Sequence, residues 1–327
     1  MNARISTRVN TQHAAMQQAA EWFALLRSGA ASESDQRAWQ AWLAQKSEHR
    51  DAWAYAETIA RRFEPVRAPD TRRAAVEALH GVRQVSLSRR RVLGAIAVLG
   101  GGALLGLEFW RQPPQLARTL LAQYRTGTGE MLQLALADGS TVWLNTASAL
   151  DTDFSTSRRQ LQLWQGEMLV QTAHEAHRSF VVDTAHGRLR ALGTRFAVRL
   201  LEHETLLAVF EGAVEVHNRA GSTRVIDAGS QVRFDGAAIY REQPADAARQ
   251  AWSRGVLLAE NMRLDEVLAE LSRYHHGHFG AAPDIAHLRV LGGYPLHDAE
   301  RTLAMLAAVL PVRIRRTLPW WTTLEPA

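Results

Sequence analysis

The chain has no cysteine. That absence excludes disulfides, cysteine-ligated zinc, iron–sulfur clusters and thiol catalysis together. It assigns no compartment, because a cysteine-free protein suits reducing and oxidising surroundings alike. Catalytic signatures are missing too: there is no P-loop, no G-x-G-x-x-G after a strand and no nucleophile elbow. His174-Glu175-Ala176-His177 falls one residue short of H-E-x-x-H and sits among turns, not on a helix where two histidines could share a metal. His275, His276 and His278 straddle a helix end and a strand start and read as a solvated terminus. The expectation is a protein without enzymatic activity, metal or cofactor.

Net positive charge is missing from most of the chain. Residues 1–91 hold 15 Lys+Arg against 9 Asp+Glu, while residues 111–327 hold 23 of each, so the net +5 originates before residue 92. A basic balance alone would suggest nucleic acid or anionic lipid. Its position beside an apolar run argues against direct DNA binding.

That run is Val92–Leu107, VLGAIAVLGGGALLGL, without a charged residue. Continued to Trp110 it is 19 residues, roughly 28 Å as a helix and close to a bilayer's hydrocarbon thickness. Phe109 and Trp110 suit a membrane boundary. Five glycines make it a poor soluble helix. A transmembrane helix is expected at 92–110. Six arginines precede it (72, 73, 83, 89, 90, 91) and three follow (111, 118, 125). The positive-inside rule then puts the N-terminus in the cytoplasm and the remainder across the membrane. Ser88-Arg89-Arg90-Arg91-Val92-Leu93 resembles the twin-arginine export signal S-R-R-x-F-L, with Val for Phe; it reads equally as an orientation cluster.

Three helical patterns precede the run. The first covers Thr11 to Arg27, with Ala15, Ala19, Trp22, Phe23, Leu25 and Leu26 on one side. The second begins at a capping box, Ser32-Glu33-Ser34-Asp35, and carries Trp39, Trp42 and Leu43. The third starts near Ser47, carries Trp53, Ile59 and Phe63, and is expected to stop at Pro65. Four tryptophans in so small a domain serve a core, a partner surface, or both.

Beyond residue 125 short alternating runs are separated by Gly, Asp and Asn turns, as in Thr141–Leu144, Arg195–Leu200 and Val214–His217. The texture indicates an all-β sandwich or short β-solenoid over 125–240. Over 252–316 the pattern becomes strand–helix–strand twice, a small α+β domain whose helices centre on Leu264–Tyr274 and Asp298–Leu310.

Within the β region, Leu136-Ala137-Asp138-Gly139-Ser140-Thr141-Val142-Trp143-Leu144-Asn145-Thr146-Ala147-Ser148 resembles the L-x-D-G-S-x-V-x-L-N-x-x-S element of the FecR family. These are inner-membrane sigma-factor regulators of bacterial cell-surface signalling. Gln165-Gly166-Glu167-Met168-Leu169-Val170 is similar to a second element, with Leu where Phe is usual. Phe180-Val181-Val182, Ala191-Leu192-Gly193-Thr194-Arg195-Phe196-Ala197-Val198, Glu211-Gly212-Ala213-Val214 and Ala228-Gly229-Ser230-Gln231-Val232 follow in order. Asp138, Gly139, Ser140, Leu144, Asn145, Gly166, Glu167, Gly193, Thr194 and Phe196 are thus the motif residues. Residues 14–56 resemble the sigma-binding region of these proteins, with Ser47-Glu48-His49 in place of P-x-H, and 252–316 resemble the STN (secretin and TonB N-terminal) fold.

The resemblance implies a bacterial inner-membrane protein with one span. It divides the chain into a cytoplasmic sigma-binding domain at 11–64, a basic juxtamembrane linker at 65–91, the span at 92–110, a periplasmic FecR domain at 125–240 and an STN-like domain at 252–316. It implies an extracytoplasmic-function (ECF) sigma factor held through Trp22, Leu25, Leu26, Trp39, Trp42, Leu43 and Trp53. It further implies an outer-membrane TonB-dependent receptor meeting the C-terminal domain around Leu264, Leu268 and Leu271, a ligand such as a ferric siderophore, and release by membrane-embedded and periplasmic proteases. Arg89, Arg90 and Arg91 would orient or export the chain. Gly193-Thr194 is where some family members are reported to break, the Thr hydroxyl attacking the Gly carbonyl; it reads otherwise as a tight turn. The competing expectation is a membrane-anchored β domain that binds envelope carbohydrate or another ligand.

Overall fold

The structure is a computed structural model that describes residues 2–28, 31–67, 115–156, 158–175 and 178–327. These fall into two compact units, one comprising Met1–Ala60 with Ala122–Ala327 and the other Arg61–Leu121.

Alanine spacing and tryptophan bulk build the N-terminal bundle. Helices α1 (Asn2–Arg27), α2 (Glu33–Gln45) and α3 (Ser47–Arg67) enclose Ala15, Ala19, Ala20, Phe23, Trp42, Ala52, Ala56 and Ile59. The alanines allow close helix approach and the rings fill what remains. The capping box forms: the Ser32 hydroxyl accepts from the Asp35 N–H at 3.2 Å, and the Asp35 carboxylate from the Ser32 N–H at 2.9 Å. Helix α1 begins well before Thr11. Helix α3 runs two residues past Pro65, so the proline does not stop it at the expected position.

One expectation needs correction. A transmembrane helix was expected at 92–110, yet among the described residues no helix is long and apolar enough to cross a membrane. Residues 92–110, like most of the linker at 65–91, lie outside them. The one helix described between the bundle and the β region, α4 (Gln115–Leu121), has seven residues. Apolar length was a weak guide in this run, since its five glycines each disfavour helix by about 1 kcal/mol relative to Ala. The architecture is a three-helix N-terminal bundle followed by a mostly β region.

That β region is a sandwich. One seven-stranded sheet runs β1 (Tyr124–Arg125), β4 (Ala149–Phe154), β5 (Arg159–Gln165), β7 (Phe180–Asp183), β8 (Gly187–Ala191), β11 (Ala213–Asn218), β12 (Thr223–Asp227). The other runs β14 (Gln243–Pro244), β13 (Ser230–Phe234), β10 (Thr205–Glu211), β9 (Arg195–Leu200), β6 (Glu167–Gln171), β3 (Thr141–Leu144), β2 (Leu132–Ala135). Alternating residues of both sheets, among them Leu144, Leu150, Leu161, Leu163, Val170, Phe180, Phe196 and Leu207, form the shared core.

A 3-10 helix, Ala247–Arg254, leads to the C-terminal domain. There β15 (Val256–Arg263), α5 (Leu264–Ser272), β16 (His278–Ala281), β17 (Arg289–Pro295), α6 (Ala299–Val309), β18 (Val312–Leu318) and β19 (Trp321–Pro326) follow in order. Strand β15 pairs with β17, while β19 lies between β16 and β18 and is parallel to β16.

The second sheet of the sandwich is covered on its outer face as well. Leu169 and Ala197 pack there against Trp252, Tyr274 and Leu296, with Trp143 and Phe210 alongside. This explains the unbroken buried runs in β6 and β10, where a one-sided strand would alternate. The bundle also meets the C-terminal domain: Phe23 lies edge-on to Trp320 at 5.4 Å, Tyr55 to Trp321 at 6.0 Å, and Arg315 pairs with Glu21 at 2.8 Å.

Candidate functional site

Asp138, Gly139 and Ser140 form the turn between β2 and β3, with Gly139 at φ +84. The Asp138 carboxylate accepts from the Ser140 N–H at 3.0 Å, the Ser140 hydroxyl at 2.7 Å and Arg159 Nε at 2.7 Å. Burial pushes this carboxyl up; the Ser140 hydrogen bonds and the Arg159 charge outweigh that and hold it below its ordinary value. Arg159 also donates to the carbonyls of Ala173 and Arg178, both at 3.0 Å. The turn is thereby tied to β5 and to the loop after β6.

Asn145 and Glu167 are buried and bonded to each other, Asn145 Nδ2 donating to Glu167 Oε2 at 2.9 Å. The same Oε2 accepts from Arg273 Nη2 at 2.7 Å. Arg273 follows α5, so the motif reaches into the C-terminal domain. The Thr146 hydroxyl donates to the Arg273 carbonyl at 3.0 Å, and Arg199 Nη1 donates to Glu270 Oε1 at 2.7 Å. Burial disfavours the Glu270 carboxylate, but Arg273 and Arg199 overcome it and hold the group at about 2. Burial likewise pushes the Tyr274 hydroxyl up. A cavity of about 80 Å³ adjoins these groups, bounded by Trp252, Leu257, Met262 and Leu296 among others.

Gly166 precedes Glu167 at φ +85, and a Cβ there would lie 2.6 Å from Ser148 Cα. Leu144 and Phe196 are core residues. Gly193, at φ +86, enters β9 through a turn. The Thr194 N–H donates to Thr172 Oγ1 at 2.8 Å, while its own hydroxyl is buried without a hydrogen-bond partner among the described residues. Gly212 must be glycine, because a Cβ would stand 2.2 Å from the Gly193 carbonyl oxygen.

On the bundle, Trp42 is buried: its Nε1 donates to Gln18 Oε1 at 2.7 Å and its ring stacks on His49 at 4.5 Å. Trp39 and Trp53 meet at 4.9 Å and are half-buried, as are Trp22, Leu25, Leu26 and Leu43. The structure thus divides the seven residues into one core anchor and six with exposed surface. Leu264, Leu268 and Leu271 are wholly buried in the core of the C-terminal domain and present no surface. His275 Nε2 donates to the Leu296 carbonyl at 2.8 Å, and burial lowers its pKa. Among the described residues no three His, Asp or Glu side chains are placed to hold a metal. Ala176, His177 and Arg89–Arg91 lie outside the described residues.

Four residues that matter most to this geometry, Arg159, Arg199, Glu270 and Arg273, escaped the sequence reading. Only Arg273-Tyr274, a charged and aromatic pair directly after an amphipathic helix, offered a signal.

The motif geometry agrees with comparison to known families. The FecR protein family model matches residues 122–215. The chain therefore carries a FecR domain. A domain of unknown function, DUF4880, matches residues 17–59, which covers most of the bundle. Two crystal structures of a candidate anti-sigma factor from Parabacteroides distasonis ATCC 8503, at 1.65 and 2.50 Å, resemble this chain with TM-scores of 0.52 and 0.51. Their identities are 20% and 19%, and each match covers 62% of this chain and 98% of the other. The likeness establishes a shared fold. No curated relative matches the chain.

Proposed function

We infer that this FecR-domain protein is an anti-sigma regulator whose N-terminal bundle binds a sigma factor. The observation that carries the reading is the bundle itself: Trp22, Leu25, Leu26, Trp39, Leu43 and Trp53 stay half-exposed on a bundle whose core holds Trp42, and tryptophan is among the side chains most enriched as interface anchors. The P. distasonis structures, described as an anti-sigma factor, support it. The finer form of the reading takes an ECF sigma factor as partner and places the bundle on the cytoplasmic side of a bacterial inner membrane. The FecR and C-terminal domains lie on the periplasmic side, where a TonB-dependent receptor, occupied by a ligand such as a ferric siderophore, signals release by proteolysis. Co-purification of the full chain with the sigma factor encoded beside it tests this. Failure to retain any sigma factor favours a ligand-binding β domain instead.

A second arrangement is favoured by one observation. The contacts of Phe23 with Trp320 and of Glu21 with Arg315 require the bundle and the C-terminal domain to share a compartment. The C-terminal domain would then cover part of the bundle and compete with the sigma factor. Because the chain lacks cysteine, a Glu21→Cys, Arg315→Cys pair reports directly. Cross-linking in cells supports the shared compartment, and its absence supports the two-sided form.

A further inference from the structure

The buried polar residues of the FecR motif are unexplained by the sandwich alone. Asn145 and Glu167 lie at the ends of two interior strands, β3 and β6, whose own ladders need no side-chain carboxylate, and a buried charge is retained only when it is paired. Its partner comes from another domain. We propose that Asn145, Thr146 and Glu167 form a socket for Arg273, and that this clasp, with Arg199–Glu270 beside it, makes the FecR domain and the C-terminal domain one cooperative body.

Four independent contacts support the assignment. Arg273 Nη2 reaches Glu167 Oε2 at 2.7 Å, with the Glu167 side chain 5% exposed. Glu270, one turn earlier, bridges Arg273 and Arg199 at 2.7 Å each. The Thr146 hydroxyl holds the Arg273 carbonyl. Gly129, at φ +79, lets its loop approach so closely that a Cβ there would stand 2.6 Å from the Tyr274 carbonyl oxygen. Beneath the polar layer, Leu169, Ala197, Trp252, Tyr274 and Leu296 form a continuous apolar contact. Domains joined by a small polar contact move independently; a large apolar one fixes them. The guanidinium fork adds direction to that contact, since it must meet Glu167 and Glu270 together. A partner that engages the C-terminal domain therefore displaces the FecR domain with it and does not swing a loose appendage. The inference needs no particular partner and stands apart from the sigma-factor reading.

Hydrogen exchange on the full chain tests it. In wild type, amides of α5, β6 and β9 should open together, at one rate. In Arg273→Met the C-terminal domain should open about a hundredfold more often, while Val142, Leu144 and Val170 keep their protection. Thr146→Val, which spares every charge, should shift α5 in the same direction by a smaller factor. Should Arg273→Met fail to fold, Thr146→Val alone decides. Equal loss of protection in both domains, or unchanged exchange in α5, overturns the proposal.

Discussion

Asp138 and Arg159 form an ion pair almost sealed from water, Oδ2 lying 2.6 Å from Nη2 with the side chains 1% and 2% exposed. One comes from the most recognisable stretch of the sequence and the other from a strand with no evident motif. Removing the carboxylate leaves the guanidinium with carbonyl and hydroxyl partners and one more distant carboxylate, Glu175 Oε2 at 3.5 Å from Nε. Asp138→Ala should cost about 3 kcal/mol, the lower end for a broken buried pair, seen as a lowered midpoint in urea. Asp138→Asn, which still accepts hydrogen bonds, should cost less.

Two glycines at nearly the same φ separate backbone strain from steric overlap. Gly166 (φ +85) has Ser148 Oγ 2.0 Å from its hypothetical Cβ, whereas Gly229 (φ +82) has nothing within 4 Å. Gly229→Ala should cost about 1 kcal/mol, from strain alone. Gly166→Ala should add overlap and lose about 3 kcal/mol or more. Equal thermal shifts for the pair would show that space around Gly166 is not limiting.

The acid response follows from Glu270. Its folded value of about 2 lies below the ordinary carboxylate value of about 4.3. A depressed carboxylate contributes fully above its unfolded value and loses that contribution as pH falls through the folded one. Domain coupling should thus be level from about pH 8 to 5 and weaken between about pH 5 and 2. Arg199 and Arg273 are the cations that face the group, each at 2.7 Å. Glu270→Gln should flatten the dependence; an unchanged acid limb would assign it elsewhere.

On the bundle, core and surface should part company. Trp42→Ala should cost about 3–5 kcal/mol and reduce helical circular dichroism. Leu25→Ala and Leu43→Ala should weaken sigma-factor retention about tenfold each with the helical signal retained. Binding lost only together with helicity would reduce the proposed surface to a folding requirement.

For Gly193–Thr194, self-cleavage predicts two fragments of wild type on a denaturing blot and one full-length band for Thr194→Ala. Intact wild type in cells ends that reading and leaves a turn.

Local signals were legible in the sequence; pairings at a distance were not. Ser32-Glu33-Ser34-Asp35 announced the start of α2 because capping is a four-residue interaction. Thr141–Leu144 and Arg195–Leu200 were readable because one face alternates. Strand β19 was missed because Trp321-Thr322-Thr323-Leu324 is buried on both sides and does not alternate. Strands β8 and β12 carry Arg188, Arg190, Arg224 and Asp227, which hid them among turn residues. The leucines of α5 showed one apolar face but not its neighbour, and the domain's own core occupies it. Asn145 and Glu167 were visible as motif, but Arg273 lies 106 positions beyond Glu167, and no local rule connects them.

The strand order bears on any break at Gly193–Thr194. Strands β1 to β8 would fall to one fragment and β9 to β14 to the other, yet β8 lies beside β11 and β6 beside β9. The fragments would be interleaved, knitted through both sheets and one shared core. Such a nick is a complementation pair: a single species by size in native buffer, two only when denatured. Separating the halves would take unfolding, so a cut at this position marks the molecule without dividing it.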